Sequence, residues 1–237
     1  MCGRFAITLP DDAMARAFAA QPANDLPPGP RYNVCPTQPV AAVVTRGRAQ
    51  GRAQGRAQGG AQGGARHLGP MRWGFLPHWY RTPSDGPLLI NARAETIARK
   101  PAFAEAARTR RCLIPASGFY EWTKAADGSR LPWFIHRPDH GLIAFAGVWQ
   151  VWEREGTRHA TCAIVTCPAN AALQHIHHRM PVVLPPDDWP LWLGEAGHGA
   201  AALMRPAPDD ALSAHRVGAA VNSNRASGPE LTQPLPD

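Results

Sequence analysis

Short apolar runs separated by turn residues dominate the hydrophobic pattern of this chain. Alternating positions at 71–77 and 118–122 have the two-residue period of half-buried strands. The turn 125–128 joins the second of these to a strand at 133–135, which predicts a hairpin. Further strands are predicted at 3–9, 40–44, 112–115, 142–149, 162–167 and 182–184. Because strands outnumber helices, the pattern predicts an α+β fold with antiparallel pairing.

Helical spacing is confined to short segments. Met14, Ala17 and Phe18 follow two aspartates, and acidic residues near a helix N-terminus are favoured by the helix dipole. Further short helices are predicted around 101–107, from residue 170, at 185–193 and at 208–215. The segment after Val221 is polar, and we expect it to be loose.

The chain has 237 residues, 44% of them hydrophobic, and no linker divides it into two cores. We therefore expect a single domain over 1–237. Within it, residues 47–65 repeat GRAQ three times and continue as GGAQ and GGA. A four-residue period with recurring glycine fits neither a strand nor a helix face, so this segment is predicted to be a disordered loop insertion.

The formal net charge is +7, and nearly all the basic residues are arginine, since Lys100 and Lys124 are the only lysines. Arginine binds phosphate oxygens through its planar fork and stacks on bases, which makes a nucleic-acid partner reasonable. Arginine-favouring codons in a GC-rich genome would produce the same bias. Charge alone does not choose between the two explanations.

Cysteine usage and hydropathy bear on the compartment. The five cysteines are an odd number without a CxxC pair, unlike a secreted disulfide framework. The sequence has neither a signal-peptide pattern at its start nor an apolar stretch of about 18 residues. We expect a monomeric protein of the bacterial cytoplasm that does not contact a membrane.

Cys2 directly follows the initiator methionine. Removal of Met1 would leave Cys2 with a free amine and a thiol on adjacent carbons, a 1,2-aminothiol. Its amine can condense with an aldehyde, and its thiol can then close a five-membered ring on the same carbon. The plainer interpretation is that Cys2 is a small apolar filler.

Four motifs occur in order along the chain: MCGRF at 1–5, NARAET at 91–96, GFYEW at 118–122 and HHRMP at 177–181. Together they resemble the SRAP (SOS response-associated peptidase) family, the abasic-site processing proteins that crosslink themselves to damaged DNA. RYNV at 31–34, WGF at 73–75 and VNSN at 221–224 follow the same family order. The resemblance implies an SRAP-like fold, with antiparallel, barrel-like β-sheets flanked by short helices.

The resemblance also implies a product and a partner. The product is a thiazolidine crosslink between Cys2 and the aldehyde of an abasic site, which protects the lesion during the DNA damage response. The expected partner is single-stranded DNA containing abasic sites. The replication machinery is a further possible partner, and we expect association with the nucleoid during repair.

Cys2, Asn91, Glu121 and His177 are the predicted catalytic residues. Strand alternation places Glu121 on the same face as Phe119, where partial burial would raise its pKa and suit it to acid–base chemistry. By resemblance Glu121 and His177 are catalytic, with His177 serving the sugar ring oxygen, while Asn91 holds the amine or a sugar hydroxyl. The alternatives are an exposed strand glutamate and an asparagine that caps its own backbone.

Arg4, Arg72, Arg93 and Arg179 are the predicted phosphate contacts, and Trp73 is a predicted stacking platform for a base. Trp79 and Phe75 are alternative platforms, and core packing is the alternative fate of any tryptophan. We expect neither a cofactor nor a metal, because the spacing of the histidines and cysteines matches no familiar zinc site.

Two other functions remain open from the sequence. One is an N-terminal-nucleophile cysteine peptidase or hydrolase, in which the amine acts as base for its own thiol, and lyase activity would be a related outcome. The other is passive binding of single-stranded DNA. Cys35 departs from the family pattern, because we expect a small residue such as alanine after RYNV.

Overall fold

A computed structural model describes residues 2–46 and 64–236. The strands up to residue 93 are β1 (Phe5–Ile7), β2 (Ala20–Pro22), β3 (Arg31–Val34), β4 (Pro39–Arg46), β5 (Ala65–Trp73) and β6 (Asn91–Arg93). The later strands are β7 (Arg111–Ala116), β8 (Gly118–Lys124), β9 (Arg130–His136), β10 (Ile143–Arg154), β11 (Thr157–Pro168), β12 (Arg179–Pro181) and β13 (Ser213–Arg216). The α-helices are α1 (Asp11–Phe18), α2 (Ala104–Thr109) and α3 (Trp189–Leu193). Short 3₁₀ turns cover Pro186–Asp188, Ala200–Leu203, Ala219–Asn222 and Pro229–Thr232.

The larger sheet closes into a five-stranded barrel. Its strand order is β12-β11-β10-β7-β4-β5-β2, and β5 also pairs in parallel with β11, where Trp73 lies opposite Cys162. This last pairing joins β11, β10, β7, β4 and β5 into a ring, which removes free edges from those strands. The predicted barrel-like sheets with short flanking helices are confirmed. Parallel pairs of β5 with β2 and of β11 with β6 add to the antiparallel majority.

The barrel is filled by large apolar side chains from inward-facing positions. Phe5 lies edge-on to Trp73 at 5.1 Å and to Phe145 at 5.9 Å between ring centroids, and all three are buried. Such edge-to-face pairs contribute roughly 0.5–1.5 kcal/mol each beyond the area they bury. Phe5 belongs to the second sheet, so this cluster packs the two sheets against each other.

The second sheet has five strands in the order β13-β9-β8-β1-β3. β1 lies between β8 and β3, with Phe5 opposite Phe119 on one side and Val34 on the other. The predicted hairpin joins β8 to β9, and its turn contains Gly128 at a φ of +81°, a conformation that favours glycine. The start of the chain is therefore held inside a sheet rather than at its edge.

The segment after Val221 is ordered, which corrects the expectation of a loose tail. Val221 and Leu231 are buried against Tyr120 and Phe134 in a small core behind the second sheet. Arg4 also donates a 2.8 Å hydrogen bond to the Val221 carbonyl. Two widely spaced apolar residues are enough to dock this polar segment, and such spacing gives no periodic signal.

Several predicted boundaries shift. The strand expected from residue 71 begins at Ala65, and the segment from residue 170 forms turns rather than a regular helix. The segment 208–215 contains β13 where a helix was predicted, because its residues pair with β9. Residues 182–184 contribute a single bridge, Val183 to Phe145, while the strand β12 lies just before them. The predicted loop at 47–65 lies outside the described residues except for its last two, and Ala65 begins β5.

The longest α-helix in the described part of the chain has eight residues, and none of its helices is long and apolar enough to cross a membrane.

A nearly buried ion pair fastens the loop after α3 to the barrel. The Arg66 guanidinium donates two hydrogen bonds to the Glu195 carboxylate, at 2.9 and 2.7 Å, and Thr45 donates a third. Although burial opposes it, these hydrogen bonds hold the pKa of Glu195 below its usual value. The charged carboxylate is therefore the form that stabilises the fold.

We expect Glu195→Gln to lower the free energy of unfolding at pH 7.5 by about 1–3 kcal/mol, the usual cost of a lost charge-assisted hydrogen bond. Because the folded pKa is depressed, this contribution is present above the unfolded pKa of about 4.3 and is lost as pH falls through the folded value. Urea denaturation of both proteins at pH 7.5 and at pH 3.5 measures it. If the free energies of unfolding of the two proteins differ by as much at pH 3.5 as at pH 7.5, the stabilisation does not come from the charged Glu195 carboxylate.

Candidate active site

The N-terminal segment enters the site as an extension of β1. Tyr120 donates its amide hydrogen to the Arg4 carbonyl at 3.0 Å, which continues the β1–β8 pairing towards residue 2. On the other side, Asn91 Nδ2 donates to the Cys2 carbonyl at 2.9 Å. Two backbone carbonyls, at residues 2 and 4, are thus fixed by different parts of the fold, so the position of Cys2 is fixed as well.

The Cys2 side chain is fully buried. Burial first, and then the negative charge of Glu121, raise the pKa of the Cys2 thiol far above its usual range. The thiol donates weakly to the Arg4 carbonyl, with Sγ 3.9 Å from the oxygen. At neutral pH Cys2 is therefore a protonated thiol, and a base is needed to make it a nucleophile.

Glu121 lies on β8 and is 3% exposed, so its predicted burial is confirmed. Burial raises the pKa of the Glu121 carboxyl, against the opposing effect of nearby positive charges. A carboxyl group in this condition donates and accepts a proton closer to neutral pH than an exposed glutamate does. Continuing the β1–β8 register brings Gly3, which has no side chain, beside it.

His177 lies in the turn that precedes β12 and is half-buried. Its Nδ1 is 3.0 Å from the Arg179 amide nitrogen, which donates to it, and 3.1 Å from the Arg179 carbonyl oxygen. Both contacts anchor the same ring nitrogen and fix the orientation of the imidazole. Burial lowers the pKa of His177, which favours the neutral ring at neutral pH.

Two of the four predicted catalytic residues, Glu121 and His177, line one surface cavity of about 320 Å³. The cavity is lined by Gly3, Arg4, Glu121, Trp122, Thr123, Lys124, Arg130 and His177. Cys2 precedes the lining residue Gly3 in the chain, and Asn91 donates to the Cys2 carbonyl. Within residues 2–46 and 64–236, Asn91 Oδ1 is buried and has no hydrogen-bond partner, so the site contains an unused acceptor next to the backbone of Cys2.

Two predicted phosphate contacts are bound to protein groups. Arg4 Nη1 donates to Asn33 Oδ1 at 2.9 Å and to the Val221 carbonyl. Arg179 forms a two-pronged pair with the Glu95 carboxylate and donates to the Thr166 carbonyl at 2.7 Å. The Arg179 side chain is only 10% exposed. Its contacts connect β12, and hence the His177 turn, to the segment after β6.

The other predicted DNA contacts divide between surface and core. Arg93 is exposed and lies two residues beyond Asn91 on β6, with buried Ala92 between them. Arg72 donates to the Gly74 carbonyl at 2.7 Å and is partly buried. Trp73 lies in the barrel core with its Nε1 donating to the Ile90 carbonyl, so the structure gives its ring no open face for a base. Trp79, by contrast, is 45% exposed.

Trp122 and Arg130 line the cavity although the sequence motifs do not single them out as site residues. The Arg130 guanidinium lies 4.5 Å from the centre of the Trp122 ring, and Trp122 Nε1 donates to Asn222 Oδ1. Trp122 is half-buried and also packs against the small core that contains Val221 and Leu231. The β8–β9 hairpin register, which pairs Lys124 with Arg130, is the signal that places Arg130 beside the site.

Metal ligands are not grouped in the described part of the chain, where no three histidine, cysteine or acidic side chains could share an ion. Cys35, the departure from the family pattern, is buried with its Sγ 3.6 Å from the Asn33 carbonyl. It thus adjoins the residue that binds Arg4.

Comparison with known proteins decides the family. A family model described as SOS response associated peptidase (SRAP) matches residues 1–224. The chain belongs to the SRAP family. The resemblance inferred from the four motifs is therefore confirmed.

Relatives match over nearly the whole length of the chain. The abasic site processing protein YoqW of Bacillus subtilis (strain 168) is 33% identical, over 98% of this chain and 99% of its own. The abasic site processing protein YedK of Escherichia coli (strain K12) is 32% identical, over 99% and 100%. The abasic site processing protein HMCES of Rattus norvegicus is 30% identical, over 99% of this chain and 76% of its own.

Solved structures show the same fold. A protein from Bacteroides thetaiotaomicron superposes with a TM-score of 0.78 at 22% identity, covering 99% of this chain and 100% of that one. A protein from Bordetella bronchiseptica gives a TM-score of 0.71 at 24% identity, over 92% of this chain and 100% of that one.

We expect Glu121→Gln to stabilise the folded protein at pH 8, because it removes a carboxylate whose charged form is disfavoured by burial. With a raised folded pKa, the penalty is absent below the unfolded pKa of about 4.3 and develops as pH rises through the folded value. Thermal melts from pH 4 to pH 8 test this, where 1 kcal/mol corresponds to about 2–4 °C in Tm for a chain of this size.

Glu195→Gln is the matched control, because its carboxyl pKa is shifted in the opposite direction. It should be the less stable protein at pH 8, while Glu121→Gln is the more stable one. If Glu121→Gln is also less stable than the wild type at pH 8, the charged Glu121 carboxylate stabilises the fold, and the inferred cost of burying its charge is wrong.

Proposed function

We propose that this protein processes abasic sites by forming a covalent thiazolidine crosslink between Cys2 and the aldehyde of an abasic site in single-stranded DNA. The observation that carries the proposal is a fixed, buried Cys2 whose thiol feels the charge of Glu121, next to a cavity that Gly3, Glu121 and His177 line. The names of the relatives as abasic site processing proteins support the choice of substrate. The crosslink would shield the lesion from enzymes that cleave the strand.

Removal of Met1 is the first condition of this chemistry. An α-amino group has a pKa of about 7.7–8.0 against about 10.4 for lysine, so at neutral pH it offers several-hundred-fold more free base. The unused Asn91 Oδ1 beside the Cys2 backbone is suited to accept a hydrogen from that amine. Asn91, which holds the Cys2 carbonyl, would thus also orient the Cys2 amine.

Glu121 can carry the proton transfers of both the water-loss step and the ring-closing step. The Cys2 amine adds to the sugar aldehyde carbon, forming a C–N bond and a hydroxyl group. The protonated Glu121 carboxyl gives its proton to that hydroxyl, which leaves as water, and an iminium ion remains. The Glu121 carboxylate then takes the thiol proton while Sγ forms a C–S bond to the same carbon. The net change is the loss of one water, and Glu121 ends as it began.

His177 and the cavity rim provide for the sugar and the strand. The abasic sugar rests mainly as a closed ring, and the His177 imidazole is suited to assist the ring oxygen during opening. The Trp122 ring, with Arg130 stacked on it, offers an aromatic face for a neighbouring nucleotide. An abasic nucleotide in a single strand has neither a base pair nor a stacking partner to lose, so turning it into the cavity costs little.

The first test is incubation of the mature protein with an oligonucleotide that contains one abasic site, followed by a denaturing gel and intact mass measurement. We expect a covalent adduct with the summed mass less one water. Cys2→Ala keeps the terminal amine but lacks the thiol, so it should yield no stable adduct and only an imine that borohydride traps. Glu121→Gln should slow adduct formation by roughly 100-fold, a usual size for loss of acid–base catalysis.

The controls separate the alternative functions. A form with one extra residue before Cys2 should bind DNA reversibly and form no thiazolidine adduct. An intact oligonucleotide should give no adduct with any form. Cleavage of peptides by a protein that forms no adduct would favour the cysteine peptidase, and equal, Cys2-independent binding of intact and abasic strands without an adduct would favour passive binding.

Arginine roles are tested by the salt dependence of reversible binding, with a tetrahydrofuran lesion that lacks the aldehyde. Each phosphate contact to a single strand contributes a slope of about 0.7 in log affinity against log salt. Arg93→Gln should reduce the slope by about 0.7, because Arg93 is exposed. Arg179→Gln should leave it unchanged, because Arg179 is engaged by Glu95 and Thr166. A reduced slope in Arg179→Gln would restore Arg179 as a phosphate contact.

A further inference from the structure

Two histidines on neighbouring strands lie where the C-terminal segment (217–236) docks on the second sheet. His136 is the last residue of β9 and is buried, and His215 lies on the paired strand β13. His215 Nε2 is 2.9 Å from the Thr232 carbonyl oxygen. Leu231, the residue before Thr232, belongs to the small core that also contains Phe134. The contact of His215 with Thr232 therefore fastens the segment next to its buried anchor.

The two rings form a chain of hydrogen-bonding atoms between two backbone carbonyls. His136 Nδ1 is 2.7 Å from the Arg137 carbonyl oxygen, and His136 Nε2 is 3.2 Å from His215 Nδ1. The chain ends where His215 Nε2 meets the Thr232 carbonyl. Because a carbonyl oxygen only accepts hydrogen bonds, His136 Nδ1 and His215 Nε2 both have to carry a hydrogen. The inner contact between the two rings needs a third hydrogen.

Two neutral imidazoles supply only two N–H groups, one on each ring. If both hydrogens point at the carbonyls, the inner contact brings two lone pairs together. If one hydrogen moves to the inner contact, a carbonyl oxygen faces a lone pair instead. One additional proton completes all three hydrogen bonds, whereas a second would set two N–H groups against each other. The geometry therefore fits one additional proton on the pair.

The charges nearest His136 agree with a limit of one proton. Burial first, and then the positive charges of His215 and His140, lower the pKa of His136, although its hydrogen bond to the Arg137 carbonyl opposes them. His140 stacks on His136 with 4.6 Å between ring centroids. Arg137 and Asp139, which flank the ring, neutralise each other in a 2.6 Å ion pair. Once the proton is on His215, His136 therefore resists a second one.

The neighbouring elements direct their charged groups away from the pair. Gly118 is the residue opposite His136 on β8. Arg216 lies on the other face of β13, with its guanidinium 5.4 Å from the centre of the Trp133 ring. Glu230, the acidic residue of the turn that contains Thr232, is exposed. The third hydrogen is therefore what the contacts of the pair require, rather than a response to a nearby carboxylate.

We propose that His136 and His215 share one additional proton and form a clasp on the C-terminal segment, which is tighter in mildly acidic than in alkaline solution. The clasp acts beyond the two strands, because the segment that it fastens also supplies the Val221 and Ser223 carbonyls that hold Arg4. The proposal is independent of the crosslinking reaction, and it is tested on the DNA-free protein.

The clasp should stabilise the protein most at mildly acidic pH. In the unfolded chain each histidine has a pKa of about 6.5. The folded pair binds its first proton more readily than a free histidine, because that proton completes a hydrogen bond. This contribution is therefore fully present below about pH 6.5 and is lost as pH rises through the value at which the folded pair releases the proton.

The first test is urea unfolding of the wild type and of His215→Phe, which keeps an aromatic ring next to Phe134 and removes the clasp. The variant's unfolding constant, divided by that of the wild type, should be roughly fivefold larger at pH 5.5 than at pH 8.5, the factor that one net hydrogen bond typically contributes. His140→Phe is the matched control, because it keeps the stack on His136 and leaves the chain of hydrogen bonds intact. Equal ratios at the two pH values in His215→Phe would overturn the proposal, and so would the same rise in His140→Phe.

Hydrogen exchange localises the effect to the C-terminal segment. The Leu235 amide donates a 2.9 Å hydrogen bond to the Arg216 carbonyl, three residues beyond Thr232. Its protection factor, which corrects for the intrinsic pH dependence of exchange, should fall about fivefold from pH 6 to pH 8.5 in the wild type. It should not change with pH in His215→Phe, and an unchanged factor in the wild type would overturn the clasp.

An NMR titration of the imidazole nitrogens of the wild type requires no variant. His136 Nδ1 and His215 Nε2 should keep their hydrogens across the range, while the inner nitrogens of both rings respond together to the loss of the shared proton. Two rings that titrate independently with one ordinary midpoint would overturn the proposal. If the protein forms no adduct with abasic DNA, the proposed function fails, and these measurements still decide whether the clasp exists.

Discussion

The insertion of β1 between β8 and β3 is the constraint on which the rest of the site depends. Most chain termini lie at a surface and are poorly ordered unless a sheet or a helix holds them. Here Phe5 fills the barrel interface, and hydrogen bonds at the Arg4 and Cys2 carbonyls continue the pairing almost to the first residue. In the proposed reaction, a group held this way would lose little further freedom, because the fold already positions it.

Burial has opposite energetic effects in the barrel and at the candidate site. In the barrel it stabilises apolar side chains, whereas at Cys2 and Glu121 it disfavours the charged forms and raises the pKa of both groups. The fold accepts a local cost in stability and gains acid–base groups suited to neutral pH.

The sequence predicted the strands of the barrel well, because runs such as 112–115 and 162–167 are apolar, short and bounded by turns. Docking of the segment after Val221 depends on two buried residues ten positions apart and on Arg4, and no local pattern contains that information. Trp73 shows the same limit for the prediction of function. An arginine beside a tryptophan is equally consistent with a DNA contact and with a barrel strand, and only the fold shows that Trp73 is buried. Glu121 was predictable because alternation and the family motif agree, whereas the Glu95 partner of Arg179 is 84 positions away and required the fold.

Arg4 hydrogen-bonds to the carbonyls of Val221 and Ser223, which lie 217 and 219 positions later in the chain. During synthesis the ribosome releases the N-terminal strand long before those residues exist. Until then Arg4, which lines the cavity, lacks its hydrogen bonds to Val221 and Ser223. A chain synthesised only part of the way therefore has Cys2 without the complete cavity beside it. The fold thus delays the assembly of the candidate site until residues far along the chain have been made.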